Sequence, residues 1–146
     1  MNAYTVIDDL LVNLFRDILD IENRALCKGQ FENITVNDMH IISSIGIGEG
    51  KNMSAIARDL NITVGSLTTS MNALVKKQYV VRERSEEDRR IVNIRLTEKG
   101  EEAYYHHEDF HKKLVETVID FVPEKDLPGL VKCLTGVCEF FRSYEV

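Results

Sequence analysis

Two short alternating runs, Tyr79-Val80-Val81-Arg82-Glu83-Arg84 and Ile91-Val92-Asn93-Ile94-Arg95-Leu96, are rich in β-branched residues at period two. The polar link Ser85-Glu86-Glu87-Asp88-Arg89-Arg90 joins them. Together they predict one β-hairpin with a charged tip, set in a chain whose other apolar residues recur at helical spacing. The fold class is therefore mainly α with a small β-wing, within a single domain spanning residues 1–146.

Ahead of the hairpin, Ile7, Leu10, Leu11, Leu14, Ile18 and Ile21 fall at three- and four-residue steps and predict an amphipathic helix over 6–26. Thr35 is placed to cap a second helix containing Val36, Met39, His40, Ile42 and Ile45, which runs out in Gly46-Ile47-Gly48-Glu49-Gly50. No strand precedes these glycines and no Gly-Lys-Ser/Thr follows, so they read as a turn rather than a phosphate loop. Asn52 caps a short helix over 53–60, Asn61-Ile62 turns tightly, and Thr63 caps the next helix, to about residue 78. Beyond the hairpin, Thr97 caps a long helix to about residue 121. A last helix starts between Pro123 and Pro128, carrying Leu130, Val131, Leu134, Val137, Cys138 and Phe141 at helical spacing.

The helix that starts at Thr63 is two-faced. Val64, Leu67, Met71, Leu74 and Val75 share one arc; the opposite arc is Gly65, Ser66, Thr69, Ala73 and Lys76, flanked by Thr68, Asn72 and Lys77. That second face is small, polar and free of acids, where an ordinary solvated helix would mix Glu with Lys. It is shaped to lie against something.

Charge says what. The chain holds 18 Lys+Arg against 24 Asp+Glu, a net charge of −6, which taken whole argues against a nucleic-acid partner. Residues 51–100, however, hold ten basic residues against six acidic ones and carry +4, leaving −10 on the flanks. A basic middle between acidic ends offers one surface to an anionic partner, with an affinity resting on about ten basic side chains. Two helices joined by a short turn and followed by a basic hairpin make a winged helix-turn-helix. In that arrangement the second helix enters the major groove of DNA, which admits an α-helix and displays a distinct pattern for each base pair. Ser66, Thr68, Thr69 and Asn72 are placed to reach base edges or phosphates, with Lys76, Lys77 and Arg84 supplying charge. Arg89 and Arg90 at the wing tip suit a narrow minor groove.

At 44% hydrophobic and 29% charged, the chain is not disordered. The first basic residue, Arg16, follows Asp8 and Asp9, and no apolar run is long enough to span a bilayer. A cytoplasmic protein without membrane attachment is expected. Cys27, Cys133 and Cys138 lack any C-x-x-C spacing and read as idle thiols of a reduced compartment, though Lys28 beside Cys27 would lower its pKa. No Ser-His-Asp set, paired carboxylates or cofactor motif points to an enzyme.

These stretches resemble the MarR family of winged-helix bacterial transcription regulators. The resemblance rests on Asn52-Met53-Ser54-Ala55-Ile56-Ala57-Arg58-Asp59-Leu60, on Thr63-Val64-Gly65-Ser66-Leu67-Thr68-Thr69, and on the wing pattern Asp-x-Arg followed by Leu-Thr-x-x-Gly, met here by Asp88, Arg90, Leu96, Thr97 and Gly100. It implies a DNA-binding lobe over about 34–100, in which Asp88 steadies the wing arginines. It also implies a homodimer built from helices over about 4–28 and 101–146. That fits Phe140, Phe141, Tyr144 and Val146, which would be exposed unless something covers them. A two-fold dimer places its recognition helices roughly 34–36 Å apart and predicts a palindromic operator.

Within the family, Val36-Asn37-Asp38-Met39-His40, Gly65-Ser66-Leu67-Thr68-Thr69-Ser70-Met71-Asn72, the segment from Arg82 to Arg90, and Val115-Glu116-Thr117-Val118-Ile119-Asp120 look closest to the repressors of fatty-acid synthesis genes of Gram-positive bacteria. That branch implies a long-chain acyl corepressor carried on acyl carrier protein, held in a hydrophobic cavity between the N-terminal helices and the lobe. The histidines carry an alternative. His107 and His111 are four apart on one helix face, and zinc-responsive members of the family imply a ligand set of Glu22, His40, His107 and His111. The alternative to zinc is that these are buried hydrogen-bonding groups, with His106, one residue off the face, turned to solvent. A further reading keeps the winged helix as a protein-interaction module, its basic face turned to an acidic partner such as acyl carrier protein.

Overall fold

The computed structural model describes residues 2–144. Its elements run α1 (Ala3–Leu26), a 3-10 turn (Gly29–Phe31), α2 (Val36–Ile45), β1 (Lys51–Asn52), α3 (Met53–Asp59), α4 (Val64–Lys76), β2 (Val80–Arg84), β3 (Val92–Leu96), α5 (Glu98–Phe121), a second 3-10 turn (Glu124–Asp126) and α6 (Leu127–Ser143). The fold is mainly helical with one small antiparallel sheet.

Each helix start in the middle of the chain is made by a short polar side chain that accepts from an otherwise unpaired backbone N–H. Thr35 Oγ1 accepts from Asp38 N at 3.1 Å while Asp38 Oδ2 accepts from Thr35 N at 3.0 Å, a reciprocal capping box on α2. Asn52 Oδ1 caps α3 through Ala55 N at 2.8 Å, Thr63 Oγ1 caps α4 through Ser66 N at 3.1 Å, and Thr97 Oγ1 caps α5 through Gly100 N at 3.1 Å. Such caps contribute about 1 kcal/mol each. Asn61 takes a φ of +53° between α3 and α4, where an Asn side chain tolerates the left-handed region.

The sheet order is β1-β3-β2. In the hairpin Val80 faces Leu96 and Arg84 faces Val92, and on the other edge of β3 Lys51 pairs with Ile94 and Asn52 with Asn93. The two-residue strand β1 is not anticipated by the sequence pattern, since two residues are too few for an alternation to register. Gly50 brings the chain into it with φ +79°, and a Cβ there would lie 1.9 Å from the Ile94 carbonyl oxygen, so only glycine fits.

The chain divides into two compact units, with the boundary inside α5 after Phe110. In the first, Met39, Ile42, Ile56, Leu67, Leu74 and Ile94 are fully buried, together with Tyr79, and close the space between α2, α3, α4 and the sheet. The apolar arc of α4 departs from expectation at its start, where Val64 is 44% exposed. It sits in the first turn of α4, ahead of the buried Leu67, Met71 and Leu74. Along α1 only Glu22 and Leu26 are buried. Ile7, Leu10, Leu14 and Ile21, the stripe that predicts the helix, stand in the open.

In the second unit, Pro128 lies in the first turn of α6, where its missing N–H costs nothing. No residue of α6 is buried. Phe140 packs edge-on to Phe141 with ring centroids 5.5 Å apart and lies 5.7 Å from the ring of Tyr144, yet all three remain exposed. Val146, expected to share that surface, lies outside the described residues. Among the described residues, no helix is long and apolar enough to cross a membrane.

Candidate nucleic-acid interface

α3 and α4 form the two arms of the helix-turn-helix. The turn is closed by Ile62 N donating to Ala57 O at 3.0 Å and Asn61 N to Arg58 O at 3.1 Å. Burial of Leu67, Met71 and Leu74 fixes the rotation of α4, and the opposite arc follows: Gly65, Ser66, Thr68, Thr69, Asn72 and Lys76 are exposed, with Ala73 and Lys77 half-buried. Some of these groups already have hydrogen-bond roles. Ser66 Oγ accepts from Thr63 Oγ1 at 2.9 Å, and Thr68 Oγ1 donates to Val64 O at 2.8 Å, leaving the Thr68 oxygen outward as an acceptor.

The wing tip is closed by Ser85 N donating to Ile91 O and Ile91 N to Asp88 O, both at 2.9 Å. Asp88 Oδ1 then accepts from the backbone N of Arg90 at 3.0 Å and from its Nε at 3.3 Å. The carboxylate grips the base of the Arg90 guanidinium while the side chain stays 93% exposed. Arg89 and Arg84 are exposed as well.

The cations of this lobe are not equivalent. Arg95 makes two hydrogen bonds to Glu83 on the neighbouring strand, at 3.2 and 2.5 Å, and that contact lowers the Glu83 pKa and raises that of Arg95. Lys51 Nζ lies 2.8 Å from Asp59 Oδ2, and the hydrogen bond lowers the Asp59 pKa. Lys99 sits over the Tyr79 ring, 4.4 Å from its centroid. Lys51, Lys99 and Arg95 are thus held by groups of the lobe itself, while the Arg90 side chain is almost wholly exposed. Arg82 is a residue that the sequence reading passes over. Its Nη2 donates to Asn72 Oδ1 on α4, tying the wing strand to the recognition helix. The available signal is period two: Arg82 shares its strand face with Arg84.

Of the suggested zinc set, Glu22, His40 and His107 belong to the first unit and lie together there. Glu22 is buried, and its Oε1 lies 3.1 Å from His40 Nε2 and 3.5 Å from His107 Nε2, with the two imidazole rings 5.7 Å apart. A carboxylate facing two imidazole nitrogens is a donor set that zinc accepts, and equally one that hydrogen bonds satisfy. His111 follows His107 by one turn of α5, in the second unit. Beside His40 and His107 is a cleft of about 340 Å3, bordered also by Ser43, Ser44, Lys51 and Asp59. His106 is not solvent-facing: its Nε2 lies 3.1 Å from Ala25 O and its ring stacks on Phe31 at 5.0 Å, so the main chain of α1 and an aromatic core residue draw it inward. The Cys27 thiol is shifted opposite to expectation. Burial first, then the charges of Asp38 and Glu22, push its pKa up.

A helix-turn-helix presenting an acid-free helix face, beside a wing tipped by two exposed arginines, defines a winged-helix DNA-binding protein. Comparison with known proteins narrows the class. Residues 34–92 match the model of the MarR family. YpoP of Bacillus subtilis, described as an uncharacterized HTH-type transcriptional regulator, is 31% identical over 109 residues, which is 75% of this chain and 72% of YpoP. YhjH of the same organism is 24% identical over 103 residues, and there the chain spans only 56% of the relative. Among solved structures, Streptococcus pneumoniae FabT in complex with DNA shares 36% identity over 97% of this chain and 99% of its own, with a TM-score of 0.88. AbsC of Streptomyces coelicolor, a MarR family transcriptional regulator, shares the fold at 24% identity and a TM-score of 0.74, over 99% of this chain and 97% of its own. The chain belongs to the MarR family and is a DNA-binding transcriptional regulator, not an enzyme.

Proposed function

We propose that the protein is a dimeric repressor of fatty-acid synthesis genes that binds a palindromic operator, with a long-chain acyl group on acyl carrier protein as corepressor. The observation that carries this reading is the near-complete match to FabT, at 36% identity, where AbsC reaches 24%. It agrees with the branch-like stretches around His40, Met71 and Asp88. Ser66, Thr68, Thr69, Asn72, Lys76 and Lys77 would contact the major groove, and Arg84, Arg89 and Arg90, steadied by Asp88, the flanking backbone and minor groove. α1 and α6, with apolar faces open in the single chain, would build the dimer from the two ends of the sequence.

The test is a fluorescence-anisotropy titration of the purified protein on promoter fragments of its own organism's fatty-acid synthesis genes, with and without long-chain acyl carrier protein. Tighter binding in its presence supports the reading. Binding to those fragments that ignores the acyl carrier protein leaves a DNA-binding regulator and removes the corepressor.

A second reading, a zinc-responsive repressor of metal-uptake genes, is favoured by Glu22 facing His40 and His107. Native mass spectrometry separates the two: one zinc ion per subunit supports the metal reading, a retained acyl chain the lipid one.

A further inference from the structure

The contact between Arg82 and Asn72 bears on which base the recognition helix reads. Arg82 on β2 donates from Nη2 to Oδ1 of Asn72 on α4. A guanidinium has donors and no acceptor, so the amide atom turned toward it must be the oxygen, and chemistry fixes the orientation of this amide. Asn72 then offers its Nδ2 group, with two donors, to whatever lies against α4, and the remaining N–H groups of Arg82 stand beside it. Both side chains are exposed, and Asn72 shares the acid-free arc with Thr69 and Lys76.

An unconstrained Asn pairs with adenine through two bonds, accepting from N6 and donating to N7. Here the accepting half is engaged. Oδ1 has a second lone pair, but an adenine amino group accepted there would set its own N–H groups against the positive guanidinium. Guanine instead presents two acceptors, O6 and N7, to a surface made of donors. Thr68 shows that this polarity is local, since it turns an acceptor oxygen outward one turn earlier on α4.

We propose that Arg82 is a positioning residue that sets the base preference of Asn72, converting an amide suited to adenine into a donor-only reader of a G·C pair. The proposal rests on α4 entering the major groove.

The experiment is selection of bound sequences from a random duplex pool by the full-length protein, with Asn72→Ala, Arg82→Met and Arg82→Lys in parallel. The position read by residue 72 is the one whose preference collapses in Asn72→Ala. There, the protein is expected to enrich G·C, Arg82→Met to shift toward A·T by roughly five- to a hundredfold, the discrimination of one bidentate contact, and Arg82→Lys to keep G·C. Enrichment of A·T at that position by the unaltered protein overturns the proposal, and does so even if Arg82→Met fails to fold. It is equally overturned by an Arg82→Met protein that binds all sequences more weakly with preferences unchanged, the behaviour of a phosphate contact, or by an Asn72→Ala protein that alters no position. A pool in which nothing is enriched by the unaltered protein overturns sequence-specific DNA binding and the proposal with it.

Discussion

At the scale of single residues, identical charges have different surroundings and therefore different duties. Arg90 is 93% exposed and gripped only at its base by Asp88, whereas Arg95 is bound twice by Glu83. Arg90→Ala is expected to weaken operator binding by about tenfold or more and to flatten its logarithmic salt dependence by roughly one unit. Arg95→Ala should leave that slope nearly unchanged; anisotropy titrations at several salt concentrations compare the two. The carboxylates give a pH expectation. Contacts with Lys51 and Arg95 depress the pKa values of Asp59 and Glu83, so their stabilisation is present above the ordinary carboxylate range, about 4, and is lost as pH falls through the depressed folded-state values. Thermal melts in acid should show a shallower decline for Asp59→Asn than for the unaltered protein. Cys27 shifts the other way, and with Cys133 and Cys138 replaced by Ser its alkylation rate should rise only above the usual thiol pKa of about 8.5. Side-chain identity was legible at these positions, but partner choice was not. Nothing in the string says that Arg95 meets Glu83, or that the ring of His106 turns back to the main chain of α1, because such pairings exist only once the elements have packed.

At the scale of elements, what can be read is what local chemistry decides. Thr35, Asn52, Thr63 and Thr97 start their helices through hydrogen bonds that reach three residues forward, so a short window of sequence contains the whole cause. The hairpin was legible for the same reason, as period two over two runs with a polar link. β1 was not, because its two residues become a strand only by pairing with Ile94 and Asn93, some forty residues later. The glycine before it marks the place without saying why. Gly50→Ala should cost at least about 1–3 kcal/mol from the backbone angle alone, and more from the approach to the Ile94 carbonyl, lowering the melting temperature by several degrees. Gly48→Ala, with a similar positive φ but open space around its Cα, is the control. Calorimetry on both should show the larger loss at Gly50.

At the scale of the whole molecule, an acidic chain presents a basic face because its charges are segregated, and the apolar faces of its terminal helices stand open. Leu10 and Leu14 on α1, and Val131 and Phe140 on α6, are each more than half exposed, and open apolar stripes of this kind mark an interaction face on each helix. The proposed dimer therefore has a direct test: light scattering after size exclusion should give twice the chain mass, and Leu14→Glu combined with Phe140→Glu should lower it or leave the protein insoluble. An unaltered protein at the mass of one chain would remove the dimer. The candidate site in the DNA-binding lobe was largely visible in the sequence, because a helix-turn-helix is a local motif; the meeting of Glu22 with His40 and His107 was suggested only by the family resemblance, because these residues are drawn from distant parts of the chain. One small feature governs how a signal could travel. Asn52 is both the last residue of β1, paired with Asn93 of the wing, and the cap of α3, while Arg82 ties the wing strand to α4, so the wing is fastened to both helices of the reading head. A lobe joined in this way should move as one piece. In the proposed dimer, an effector would then act on the spacing and tilt of two stiff heads along the duplex, so its response should appear as a changed tolerance for half-site separation, with the bases preferred within each half-site kept the same.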